Sequence, residues 1–393
     1  MNKLEFDNPI RRQVMSLPEM VEQQLLGCFG SGLRDLMTFA EIFDARKIIL
    51  TGCGDSYAAA VAMAPVLEKY CDCFGVKVMR AIEFTRFLPK ENIGIGEPNS
   101  PLVIAISASG GSARICEVLE KANQVGAFSI LMTNNKESRA AQYAKRVYVV
   151  GTPEFPDRSP GLRSYFGSLV GLIAFASRLG HVRGTLPPTG PGAFQNAIRE
   201  YVGQFGEVLG QIDDQMFQLA CRWKDIEKFD FIGDGVEYGS AYFGAAKMIE
   251  CNGGTAATDD SEDWCHINYF LKHPEKIGTV VMADETAPSY GRIRETVASA
   301  VSIGRPVLVV TNGKREDFPQ EAEVCVIPGT PEGYGWLMPL MDYVPVSLLA
   351  GYLSELQHEP FFRRSLDASG DETNPFANRY KNTMRDSKIE IFG

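Results

Sequence analysis

A chain of 393 residues, 45% hydrophobic and 22% charged, is long enough for two domains with cores of their own. Its formal net charge of −10 excludes nonspecific nucleic-acid binding, which needs a basic surface, yet leaves room for a small anion held by amides and hydroxyls. Nine scattered cysteines with no C-x-x-C spacing fit reduced thiols in a cytoplasmic setting.

Residues 1–12 are polar and charged, which predicts no signal peptide. Residues 10–26 have a helical pattern broken at Pro18, so two short helices are expected. A strand at 47–50 runs into Thr51-Gly52-Cys53-Gly54-Asp55-Ser56, and an alanine-rich helix follows at 57–70. Further strands are read at 76–80, 102–106, 128–132 and 146–150. They are short, apolar and separated by helices, the pattern of parallel strands covered on both faces. A helix at 165–179 contains the longest apolar stretch, 166–176, which reads as a buried helix too short to span a bilayer. A Pro/Gly-rich linker at 181–193 leads into a long helical region at 194–223.

The strand at 102–106 stops at Ser107-Ala108-Ser109-Gly110-Gly111-Ser112, and a helix follows at 115–125. Glycines let the backbone turn sharply and approach a ligand closely. The helix N-terminus adds unpaired amides and positive dipole charge. Three hydroxyls complete a loop suited to a phosphate monoester. The competing reading, in which the serines only cap the helix, explains one serine better than three around a Gly-Gly pair. Ligands in parallel sheets sit at the carboxyl ends of strands, so the Ser56 loop and the Ser107–Ser112 loop belong on one rim.

The second half repeats the first. Strands are expected at 229–232, 278–283, 306–310 and 324–327, with a helix at 238–251 after Gly233-Asp234-Gly235. Gly233 lies 181 residues after Gly52, and Thr311-Asn312 lies 178 residues after Thr133-Asn134. Such near-equal offsets argue for an internal duplication. The loop opposite the serine cluster is Asp284-Glu285-Thr286-Ala287-Pro288, acidic and without glycine, so only the first lobe is expected to hold a phosphate. Loops at 255–262 and 285–292 carry no specific motif. An apolar helix at 343–356 and a polar tail at 359–393 close the chain; the tail's aromatic residues argue that it docks. The expected fold class is therefore α/β: two tandem parallel-sheet sandwiches, flavodoxin-like with three αβα layers, pseudo-duplicated and followed by a C-terminal tail.

These motifs resemble the double sugar-isomerase (SIS) family, which includes the isomerase half of glucosamine-6-phosphate synthase. Cys53-Gly54-Asp55-Ser56-Tyr57 is similar to its Cys-Gly-Thr-Ser-Tyr, and Ser107-Ala108-Ser109-Gly110-Gly111-Ser112 to its Ser-Gln-Ser-Gly-Glu-Thr. Tyr343-Val344-Pro345-Val346-Ser347-Leu348-Leu349-Ala350 is similar to its Tyr-Thr-Val-Pro-Leu-Gln-Leu-Leu-Ala segment. The resemblance covers nearly the whole chain and implies two SIS-type lobes. It implies the divisions 1–28 (N-terminal helices), 29–180 (phosphosugar-binding lobe), 181–211 (linker and helix), 212–356 (catalytic lobe) and 357–393 (tail).

The resemblance also implies catalytic residues. Gly244-Ala245-Ala246-Lys247-Met248-Ile249-Glu250 is similar to the family's Gly-Ala-Leu-Lys-Leu-Lys-Glu, which carries the base over to Glu250. The ring-opening histidine follows sixteen positions later, and here that is His266. The family's Glu-x-x-His becomes Asp263-x-x-His266. A tail lysine that closes over substrate is carried to Lys381, with Lys388 as competitor. Substrate binding is carried to Gly54, Asp55, Ser56, Ser107, Ala108, Ser109, Gly110 and Ser112. Asp55 stands for a threonine, Ala108 for a glutamine and Gly111 for a glutamate. There is no glutaminase segment in the sequence, so no ammonia from glutamine is expected.

The residue types suit such chemistry. An imidazole can pass a proton from an anomeric hydroxyl to a ring oxygen near neutral pH. A partly buried glutamate can shuttle a proton between neighbouring carbons through an enediol. The expectation is a cytoplasmic enzyme acting on an amino-sugar 6-phosphate or a sugar-phosphate–amine adduct, as isomerase/deaminase or deglycase. No redox or metal cofactor is implied, since the four histidines show no ligand spacing. The partners expected are a phosphorylated sugar and, by the resemblance, a second copy in a homodimer with shared sites, with neither nucleic acid nor membrane. The alternative is a phosphosugar-binding sensor without turnover, which would need the serine loop but neither Glu250 nor His266.

Overall fold

The computed structural model describes residues 3, 6–73, 75–93, 101–157, 160–359 and 383–392. Five runs in the first half form parallel strands: β1 Ile48–Gly52, β2 Val76–Arg80, β3 Leu102–Ile106, β4 Phe128–Thr133 and β5 Arg146–Val149. Their order is β2-β1-β3-β4-β5. Every residue of β1, β3 and β4 is buried, which is why these strands read as continuous apolar runs. The flanking strands β2 and β5 are partly exposed. Leu50 pairs with Ile104 and Ile104 with Ile130, so the chain leaves β1, β3 and β4 along one rim. One face of the sheet buries Ile49, Val103 and Leu131 against Phe84, Val118 and Leu119, which come from the Ala81–Arg86 and Ala113–Gln124 helices.

The second half builds β6 Lys228–Ile232, β7 Thr255–Asp259, β8 Ile277–Ala283, β9 Val307–Thr311 and β10 Glu323–Val326. All are parallel, in the order β10-β9-β8-β6-β7. Counted from β6, this is the second-first-third-fourth-fifth order of the first sheet, the topology a duplication would leave. Strand β7 falls where the sequence reads as a loop. Its Thr-Ala-Ala-Thr-Asp is small and polar, and it is an edge strand with no fully buried residue, so it carries no hydrophobic signal. Trp264, Val281, Val297, Val309 and Phe318 form the core on one side.

The chain divides into two compact units. The first-sheet unit is Met20–Glu154, Arg163–Asn196 and Arg379–Gly393. The second-sheet unit is Met1–Glu19, Phe155–Leu162 and Ala197–Asn378. In the second-sheet unit the Pro9–Met15 helix packs against the Tyr343–Leu356 helix. There Asp213, 1% exposed, accepts bonds from Arg11 and from the Tyr352 hydroxyl (2.6 Å).

Two sequence expectations need correction. The linker expected over 181–193 is a turn of only 184–189, because the Leu162–Arg183 helix continues past His181 and the next helix, Gly190–Trp223, is already under way at Pro191. Proline at the second position of a helix removes no helical bond. The stretch 166–176 is likewise part of a helix of 22 residues, long and apolar enough to cross a membrane, as is Gly335–Leu356. Their burial decides the matter where length does not. The most apolar window of the first is 83% buried inside the protein and that of the second 100%, as core helices are.

Candidate active site

In the first-sheet unit, β1 ends in Gly52 because nothing larger fits there. A Cβ at Gly52 would lie 2.7 Å from the Ser56 backbone. Gly54 then takes φ +55° and ψ −126°, and Asp55 and Ser56 open the Asp55–Tyr70 helix, both half-buried. The neighbouring loop after β3 is held by its own backbone. The Gly110 amide donates to the Ser107 hydroxyl (3.2 Å), and the Asn134 amide donates to the Ala108 carbonyl (3.0 Å). The Ala140 amide donates to the Gly110 carbonyl (2.9 Å). Ser109 is exposed and its hydroxyl accepts from the Gly111 amide (3.3 Å). Ser112 is the N-cap of Ala113–Gln124, yet its side chain makes no capping bond. Burial pushes the Cys53 thiol up, and the Ser112 hydroxyl of the neighbouring loop opposes that rise. The helix therefore presents its first amides uncapped beside hydroxyls of two loops, an arrangement able to hold an anion without a fixed charge in the loop itself.

The C-terminal residues 383–392 lie beside this loop. Arg385 Nε is 3.3 Å from where a Cβ on Gly111 would be, so the missing side chain leaves room for the guanidinium. A cleft of about 550 Å³ runs between them, lined by Ser109, Gly111, Asn135, Ser138, Arg139 and Arg385, with carboxylates at Glu137 and Asp386.

In the second-sheet unit, Glu250 lies in the last turn of the Glu237–Asn252 helix and is half-buried. Its partner is Lys247, one turn earlier, whose side chain is only 2% exposed and lies 4.8 Å from the Phe243 ring centre. His266 ends the short Ser261–His266 helix and is exposed. That helix is firmly seated. The Asp260 side chain caps it through the Glu262 and Asp263 amides, and Asp234 accepts from the Ser261 amide and hydroxyl (2.8 and 2.7 Å). Trp264 is fully buried and donates to Asp230 (3.1 Å), which also pairs with Arg305 at 2.9 Å. With that side of the helix fixed, His266 faces solvent and meets Glu262 at 3.0 Å. The bond to His266 and the charge of Arg292 hold the Glu262 carboxyl below its usual range. A carboxylate on one ring nitrogen orients an imidazole and leaves the other nitrogen for a substrate.

The two sheets part company at matched positions. Glu237 stands four residues after Gly233, as Ser56 stands four after Gly52, and a Cβ at Gly233 would meet the Glu237 backbone at 2.5 Å. Glu237 is buried, and its carboxyl is pushed well up by burial and by Asp342. After β8, Asp284 is buried and accepts from Thr286 and Asn312 (2.8 Å). Where the first sheet offers hydroxyls and amides, the second offers buried carboxyl groups.

The structure thus brings Gly54, Asp55 and Ser56 beside Ser107, Ala108, Ser109, Gly110 and Ser112 in one unit. Glu250 and His266 lie in the other unit. Lys381 lies outside the described residues, and Lys388 is exposed, with its carbonyl bonded to Arg114. Three residues escaped the sequence reading. Lys247 and Glu262 could have been found by spacing, three and four positions from their partners on one helix face; the sequence directs attention to Asp263 instead. Arg385 carries no such signal. Asp259, Asp260 and Asp263 bring carboxylate oxygens within 4.8 Å of one another, but Asp260 is already used as a cap.

Residues 41–175 match the family model described as SIS domain. At 26% identity over 330 residues, the chain is similar to the glutamine–fructose-6-phosphate aminotransferase (isomerizing) of Bacteroides thetaiotaomicron, covering 80% of this chain and 49% of that protein. The chain spans about half the length of the curated relatives it matches. Among solved structures, the C-terminal domain of glucosamine-fructose-6-phosphate aminotransferase from Francisella tularensis superposes with a TM-score of 0.78 at 19% identity, over 92% of this chain and 99% of that one. Glucosamine-6-phosphate deaminase from Thermotoga maritima does so with 0.63 at 15%, over 90% and 97%. The chain thus carries an SIS domain over residues 41–175 and is homologous to the isomerase domain of the aminotransferases.

Proposed function

We propose that the protein turns over an amino-sugar 6-phosphate or a sugar-phosphate–amine adduct by aldose–ketose chemistry, as an isomerase/deaminase or a deglycase. The serine loop and Ser56 hold the phosphate. His266 passes a proton between the anomeric hydroxyl and the ring oxygen. Glu250 takes a proton from one of the first two sugar carbons and returns it to its neighbour, with Lys247 as the adjacent cation. Asp55 offers the amine a charge-assisted bond. Nine free thiols fit a cytoplasmic enzyme. The reading includes a homodimer in which each copy supplies His266 to the other's substrate.

The observation that supports turnover over mere binding is two side-chain pairs: Glu250 with the buried Lys247, and His266 with Glu262. A sensor has no use for either. The test is product release. Phosphorylated amino sugars and fructosamine-type phosphate adducts are incubated with the protein, and ammonia or free amine is assayed. Release that Glu250→Gln abolishes while ligand affinity persists is the expected result. Binding across the panel with no release from any member would establish the sensor.

A further inference from the structure

We propose that Arg385 is the cationic clamp of the anion loop, so that the C-terminal segment and not the loop supplies the charge that neutralises the phosphate. This rests on the phosphate reading above.

Four observations converge on it. Among the described residues, the Arg385 guanidinium makes no ion pair or side-chain hydrogen bond, although it lies over Gly111. A solvated arginine pointing anywhere would also be unpaired, but this one is aimed. The segment is pinned by contacts that do not use the Arg385 guanidinium among the described residues. Arg139 donates to the Arg385 carbonyl, and Arg114 donates to Ser387 Oγ (2.8 Å). Arg86 donates to the Glu390 carbonyl (3.0 Å) and lies 4.4 Å from the Phe392 ring centre. Ile389 packs on the unit's core, and the Glu390 amide donates to the fully buried Glu117 (2.7 Å). The cleft beneath Arg385 is lined by an orphan as well: the Ser138 hydroxyl, in a residue 5% exposed, has no hydrogen-bond partner among the described residues. Last, the loop has no cation of its own between Ser107 and Ala113. The Arg385 guanidinium and the Ser109 and Ser138 residues line one cleft beside the loop that leads into the Ala113–Gln124 helix, and a guanidinium with hydroxyls is a donor set for a phosphate dianion. Glu137 and Asp386 on the wall oppose an anion, which makes a guanidinium in the cleft the more necessary.

The test is direct binding of inorganic phosphate, by calorimetry, to the full chain and to Arg385→Ala, Arg385→Lys and Ser107→Ala/Ser109→Ala. Arg385→Ala is expected to weaken phosphate about ten- to a hundredfold, the usual worth of a hydrogen bond to a charged group. Lysine restores the charge but not the fork, and is expected to recover part of the loss. The salt dependence of phosphate affinity falls with Arg385→Ala, because a fixed charge has gone. Phosphate affinity unchanged in Arg385→Ala but lost in the serine double variant would overturn the clamp and keep the phosphate loop. Affinity unchanged in all three would overturn the loop itself, and the clamp with it.

Discussion

Gly110 has φ +60°, and its Cα faces the Ser138 hydroxyl so closely that a Cβ would lie 2.0 Å away. Both facts forbid a side chain. An L-residue in this left-handed region costs about 1–2 kcal/mol before any clash is counted. Gly110→Ala should therefore lower thermal stability and weaken phosphate at the same time, since the Ser107 and Ser109 hydroxyls flank the residue that has to move. Wild-type melting together with wild-type phosphate affinity would show that the loop relaxes freely and is not a fixed cradle. The serine cluster was legible as a candidate anion loop because glycine and serine advertise backbone geometry in the sequence itself. Arg385 was not legible, because it reaches the loop only through a fold that brings residues 274 positions apart together. Glu250 and His266 stand out as candidates only through family spacing. By itself each is an ordinary helix residue, and what distinguishes them is a partner one turn away.

Among the elements, the second sheet's rim carries a titration of its own. Asp342 precedes the Tyr343–Leu356 helix without capping it and is 1% exposed. Burial, with Asp284 adding to it, pushes its carboxyl up to about 8, against the opposing pull of Ser240 and the Tyr343 amide. Glu237 and Tyr343 share the site, and each is pushed up in turn by Asp342. Between the unfolded value near 4 and about 8 the folded state binds a proton that the unfolded state has lost. Stability contributed at Asp342 is thus greatest at or below pH 4, declines through that window, and is at its lowest above pH 8. Asp342→Asn should raise the melting temperature by an amount that grows from pH 5 to pH 8 and then levels off. A gain that is the same at pH 5 and pH 8 would contradict the assignment. The elements themselves were mostly readable. Strands β3 and β4 and the Tyr343–Leu356 helix follow apolar runs. What escaped were β7, an edge strand of small polar residues, and the continuation of helices across a glycine- and proline-rich stretch.

At the scale of the molecule, the proposed homodimer predicts complementation. A protein carrying Ser107→Ala/Ser109→Ala/Glu250→Gln and one carrying His266→Ala are each expected to be inactive. After subunit exchange, mixed dimers should regain one working site of two. Demonstrated exchange without recovery would mean that His266 serves its own chain.

The central claim is that Glu250 moves a carbon-bound proton of a phosphorylated sugar. Sugar phosphates that bind the protein are incubated with it in D2O, and deuterium at the first two carbons is followed by NMR. The account predicts exchange with wild type and none with Glu250→Gln, at equal ligand occupancy. Occupancy without exchange in the wild type, or full exchange in Glu250→Gln, would contradict it.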